Sequence, residues 1–86
     1  MTIALNIRIR EACLAGTPGW NVGDGARRAG MSQSQWGSYR RDKGYMSRAM
    51  QERVCIALRL PPGALQWSAH EILDAPINPT SDEVTP

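Results

Sequence analysis

Catalysis needs convergent groups whose ionisation has been shifted, and this chain holds little from which to assemble them. His70 is its one histidine, and Cys13 and Cys55 have neither ligand spacing nor a histidine neighbour. There is no glycine-rich phosphate cradle and no carboxylate cluster, and Tyr39 falls at a helical packing position. The expectation is a protein that is not an enzyme, with no cofactor, no metal site and no small-molecule substrate. Cys13 and Cys55 read as small buried hydrophobes, with a disulfide between them left open.

What the sequence does concentrate is positive charge. The net charge is only +2. Residues 20–60, however, hold Arg27, Arg28, Arg40, Arg41, Lys43, Arg48, Arg53 and Arg59 against Asp24, Asp42 and Glu52. From residue 61 onward there is no lysine or arginine, only Glu71, Asp74, Asp82 and Glu83. A basic segment inside a folded domain is the electrostatic footprint of a polyanion binder, although a plain solvated face has the same composition.

These groups must be positioned by a small fold. Eighty-six residues make one domain. No apolar run approaches the ~20 residues of a membrane span, and no secretory leader opens the chain, so a cytoplasmic protein is expected. Residues 3–15 fit two periodicities. Ile3, Leu5, Ile7 and Ile9 alternate as in a strand, while Leu5, Ile9, Ala12 and Cys13 share a helical face. Helix formers follow Arg8 and Thr2 can cap, so a helix is the reading adopted. Residues 16–21 form a turn. Residues 22–29 form a short helix weakened by Gly23 and Gly25, at roughly 1 kcal/mol each.

Ser32 can cap a helix over 33–41 through the N–H of Ser34 or Gln35. Ser47 can cap another over 48–59, with Ala49, Met50, Val54, Ala57 and Leu58 inward. Beyond Pro61-Pro62-Gly63, a last helix over 64–73 carries Leu65, Ala69, Ile72 and Leu73 on one side. Residues 74–86, with three prolines and three acids, have the composition of a disordered acidic tail. The expected fold is all-α, five short helices in a domain of residues 1–73 followed by that tail.

The informative stretch is V22-G-D-G-A26-R-R-A-G30-M31-S-Q-S-Q-W36-G-S-Y39-R-R. A helix-turn-helix crosses two helices through a three- or four-residue turn. It needs a small residue at the crossing, a turn residue tolerant of positive φ, a hydrophobe in the turn and two on the inner face of the second helix. Ala26, Gly30, Met31, Trp36 and Tyr39 meet those needs in order. Through A26-x-x-x-G30-M31-S32, W36-x-x-Y39 and the later A57-L58-R-L60 and A64-L65, residues 3–73 resemble the Cro/repressor-type family, the lambda-repressor-like DNA-binding domains of phage and bacterial regulators. Two positions depart from that pattern. Gly25 replaces a large aliphatic and Val22 a frequent glutamine. Trp36 stands where a branched aliphatic is commoner, which implies a wider inner gap that Gly25 and Ala29 accommodate.

The resemblance implies that the second helix enters the major groove. With Trp36 and Tyr39 inward, Gln33, Ser34, Ser38 and Arg41 become base readers. Gln33 leads, because its amide can both donate and accept, matching adenine N6 and N7. Asn21, Ser32, Arg40, Lys43, Ser47 and Arg48 are the expected phosphate contacts. Trp67 and Ile72 are candidates for a dimer contact. The implied function is a transcriptional regulator, a repressor, in a bacterial or phage-infected host cell, binding double-stranded operator DNA as a homodimer. Two other readings stay open. One is a DNA-packaging module of the small-terminase kind, and the other an interaction adaptor or antitoxin.

Overall fold

Residues Thr2–Leu14 are helical, which decides between the two periodicities of the N-terminal stretch. The computed structural model describes residues 2–21 and 23–77. Its elements are α1 (Thr2–Leu14), α2 (Asp24–Ala29), α3 (Gln33–Arg40), α4 (Arg48–Ala57), a 3₁₀ turn (Ala64–Gln66) and α5 (Ala69–Asp74). The described residues include five α-helices and no strand. No helix among them is long and apolar enough to cross a membrane.

The buried stripe of α1 differs from the one expected. Leu5 is 43% exposed and Ala12 lies in solvent, whereas Ala4, Asn6, Ile7, Arg10 and Leu14 face inward. Two of those inward residues are polar, and both are buried because their donors meet backbone carbonyls. The Asn6 amide donates to Leu65 O (3.0 Å) and Trp67 O (2.6 Å). The Arg10 guanidinium donates to Leu58 O (2.9 Å), Arg59 O (2.9 Å), Ala75 O (3.3 Å) and Pro76 O (3.0 Å). Thus α1 gathers the 3₁₀ turn, α5 and the end of α4 around itself, with Ile7 and Leu14 joining Val54, Leu58, Leu65 and Ile72 in the core. Burial pushes the Arg10 guanidinium below its ordinary pKa, with Cys13 opposing the shift and Arg59 adding to it.

The second helix is shorter than read from sequence, starting at Asp24 because Gly23 sits in the left-handed region (φ 93°). Six residues cannot hold a helix by propensity alone, and α2 is held from outside, against α4 and α3. At its end Gly30 is left-handed (φ 74°), and Met31 N–H reaches back to Ala26 O (3.0 Å). Arg53 of α4 then donates to Ala29 O and Gly30 O, both at 2.8 Å, filling carbonyls the helix end leaves open. Nothing in the local sequence announced this contact, since it spans more than twenty residues.

Ser32 and Ser47 cap α3 and α4 as expected, accepting from Gln35 N (3.1 Å) and Met50 N (3.2 Å). In α4, Val54, Ala57 and Leu58 are buried, but Ala49 is exposed. The segment 64–73 is not one helix. Trp67 is extended, and Ser68 and Glu71 form a reciprocal capping box that starts α5 anew. Residues 74–77, expected to open the tail, belong to the packed body. Asp74 ends α5, Ala75 is buried and Ile77 packs against the core. The remainder of the expected tail, 78–86, lies outside the described residues.

Candidate nucleic-acid interface

Successive residues of an α-helix turn by about 100°, so α3 can bury only part of its circumference. Trp36 and Tyr39 take the inner part, 4% and 7% exposed. The indole reaches α2 through the missing side chain of Gly25. A Cβ built there would lie 2.4 Å from Trp36 Cζ2. The large ring and the glycine are therefore complementary, as the sequence implied, and Ala29 is buried in the same core.

The inner face has a polar edge toward α1. Glu11 accepts from Trp36 Nε1 (2.7 Å) and from Arg40 Nε (2.5 Å). One carboxylate thus fixes the rotation of α3 about its axis at two side chains. Arg40 gives its Nε–H to Glu11 while its side chain stays 43% exposed, so the pair orients the guanidinium toward α1 and leaves its Nη donors for another acceptor. Arg40 lines a cleft of about 530 Å³ with Arg8, Trp20 and Asn21. On the far rim, Trp20 is flanked by the guanidinium carbons of Arg28 (5.8 Å) and Arg59 (6.0 Å), which ties the 16–21 turn to α2 and the end of α4.

The opposite face of α3 presents Ser34, Gly37, Ser38 and Arg41. Ser34 and Arg41 are exposed and Ser38 half-exposed. The Ser38 hydroxyl donates back to Ser34 O (3.1 Å), leaving its oxygen as an acceptor. Arg41 folds over Gly37, its Nη1 3.1 Å from where a Cβ would stand. Gln33 sits at the edge of this face and is not a free rotor. Its Nε2 donates to Gly23 O (3.1 Å). A primary amide keeps a second N–H and a carbonyl oxygen for another partner, so the bond orients the group without consuming it.

The remaining expected contacts divide. Ser32, Lys43 and Arg48 are exposed, and Ser47 is half-buried as the α4 cap. Asn21 is exposed, but its backbone N–H is taken by Asp24 Oδ2 (2.8 Å), so it cannot clamp an anion as expected. Asp24 also pairs with Arg27, and that buried carboxylate organises the start of α2. Ile72 is completely buried and Trp67 is packed against the core. The inward side of α5 is already occupied by α1, so Ile72 is not a dimer surface. Among the described residues the exposed large hydrophobics are Leu5, Tyr45, Ile56 and Leu73. No grouping of three metal-ligating side chains occurs among the described residues. Both cysteines are free thiols, Cys55 buried and Cys13 half-buried.

Comparisons with protein-family models, with curated proteins and with solved structures return no match. The functional reading rests on the chain's own residues. Those that sequence reasoning missed are Glu11, Arg53 and Trp20. Each acts through a partner distant in sequence, and none sits in a motif that marks it.

Proposed function

We propose that this chain is a sequence-specific DNA-binding regulator of the lambda-repressor-like kind, using α2 and α3 as its helix-turn-helix. One observation carries the reading: α3 buries Trp36 and Tyr39 while holding Ser34, Ser38 and Arg41 on its open side. The tight turn at Gly30 and the Ser32 cap support it. In this reading α3 lies in the major groove and Gln33, oriented by Gly23, reads an adenine edge. Ser34 and Ser38 permit close approach, and Arg41 reaches guanine or phosphate. Ser32, Lys43 and Arg48 contact the backbone and set register. The protein acts by occupancy, as a homodimer on a pseudo-palindromic operator, and represses by covering the promoter.

Selection of bound duplexes from a randomised pool tests this. The expected product is an inverted repeat with half-sites about 10 bp apart, one helical turn. Gln33→Ala is expected to weaken that complex by about 1–3 kcal/mol and to relax one base position. Binding without any enriched sequence overturns the regulator reading in favour of a packaging module. No binding at low salt leaves the adaptor reading.

A second expected result concerns Arg40. Glu11→Gln removes the charge that restrains its guanidinium, freeing one cation beside the groove. Affinity for random duplex is expected to rise, and the slope of log affinity against log salt to steepen by about one. Stability should fall by no more than about 1 kcal/mol, because the pair is partly solvated. A salt slope equal to that of wild type, from titrations on a random duplex, contradicts this role for Glu11.

A further inference from the structure

The cleft between α1, the 16–21 turn and α3 is a space that base reading leaves unused. Along α1 and one residue past its end, Arg8, Glu11, Ala12 and Ala15 recur at i, i+3, i+4 and i+7. That spacing puts them on one face, and all four line the cleft. From α3 come Gln33, Trp36 and Arg40, at i, i+3 and i+7, and the turn adds Trp20. Neither indole is loose. Trp36 is bonded to Glu11 (2.7 Å), and Trp20 lies against Arg28 and Arg59. The walls are therefore set before anything enters, and the volume of about 530 Å³ falls among small-molecule pockets, roughly 300–1,000 Å³.

Charge selects what enters. Both oxygens of Glu11 are already taken, by Trp36 Nε1 and Arg40 Nε. Arg40 keeps its Nη donors. The exposed Arg8 guanidinium makes no ion pair or hydrogen bond with another described residue. Two guanidiniums against one saturated carboxylate leave a single positive charge in the cleft.

We propose that this cleft is an effector site for a planar aromatic carboxylate, and that its occupant weakens DNA binding. Binding in the cleft stands on its own, and the effect on DNA rests on the DNA-binding reading. A carboxylate matches the guanidinium fork with two parallel bonds. A ring suits walls made of two indoles and two alanine methyls. A small inorganic anion would leave most of the space and the whole apolar wall unused. Gln33 joins the cleft to the bases. Its bond to Gly23 O leaves one N–H and the carbonyl oxygen, and an adenine edge needs both. An anion that accepts that N–H leaves the reader with half of its pair, and it cancels a positive charge beside the duplex. Both effects weaken the complex with DNA, and by linkage the duplex weakens binding of the anion equally.

Benzoate is the probe, titrated into the full chain beside benzamide and acetate. The indole N–H resonances of Trp20 and Trp36 and the Gln33 side-chain amide are expected to move with a Kd of about 1–10 mM, as suits so small a ligand. The Trp67 indole, outside the cleft, stays in place. Benzamide keeps the ring without the charge and acetate the charge without the ring, and each should bind about tenfold more weakly. Arg8→Gln should weaken benzoate about tenfold with thermal unfolding unchanged, because the side chain is exposed. At matched ionic strength, saturating benzoate should lower affinity for the selected duplex about fivefold. No saturable movement of the two indoles, or equal binding of benzamide, overturns the site. Benzoate binding with duplex affinity unchanged overturns the regulation and spares the DNA-binding reading. A wild type that binds no duplex removes the regulation together with that reading, and the titration alone then decides the site.

Discussion

Replacing Arg10 with methionine is expected to lower the free energy of unfolding by about 4 kcal/mol, a large part of what a domain of this size possesses. Methionine keeps the length of the apolar stem and fills most of the volume. It abandons four carbonyls, those of Leu58, Arg59, Ala75 and Pro76, which the guanidinium satisfies at once. Leu58 and Ala75 are the C-caps of α4 and α5, where helix geometry leaves carbonyls open, and Arg59 and Pro76 are the residues that follow them. Water cannot replace the guanidinium without entering a core in which Arg10 has no exposed surface. Arg10→Lys retains the charge and loses the fork, so one ammonium cannot span the four acceptors. An intermediate loss of about 2 kcal/mol is expected. Urea unfolding followed by circular dichroism measures both. An Arg10→Met variant within about 1 kcal/mol of wild type would show that the carbonyls find other partners.

Gly25→Ala is expected to destabilise the protein by about 2–3 kcal/mol, against the gain of roughly 1 kcal/mol that alanine brings to a helix interior. The two effects oppose each other, and the magnitude of the clash decides. A Cβ at position 25 lies 2.4 Å from Trp36 Cζ2 and 2.7 Å from Cε2. Those atoms belong to a rigid ring held in the core and bonded to Glu11, not to the free end of a flexible side chain. Relief requires α3 to move away from α2, so loss of DNA affinity is expected alongside loss of stability. Trp36→Leu alone opens a cavity and is destabilising in its own right. The double variant restores the small-to-aliphatic balance and is expected to be more stable than the sum of the singles by about 1.5 kcal/mol. Strict additivity in that cycle would mean that the glycine and the indole do not constrain each other. A stabilised Gly25→Ala would mean the same.

The parts of this fold that were legible in the sequence are those fixed by neighbours within a few residues. Ser32 and Ser47 announced their helices because a cap bonds three positions ahead. Gly30 announced the turn because its positive φ suits glycine. Trp36 and Tyr39 declared the inner face of α3 by spacing, and their burial places Ser34, Ser38 and Arg41 opposite. What stayed hidden depends on contacts across the chain. Asn6 and Arg10 lie off the face of Leu5, Ile9, Ala12 and Cys13 expected for α1, and nothing local marks them as buried, because their acceptors are 48 to 66 residues away. Glu11 hid for the same reason, and Arg40 with it. The break at Trp67 was concealed by apolar spacing that continues through it, while the Ser68–Glu71 box restarts the helix. Periodicity reports which residues prefer burial, not which polar groups find partners once buried.

The central claim is that the open face of α3 meets base edges. Amide resonances of the full chain titrated with the duplex recovered by selection test it most directly. The largest shifts are expected at residues 32–38, with smaller ones at 41–48, while the amides of α5 around Leu73 stay unmoved. Shifts centred on α5 with α3 unperturbed would contradict it.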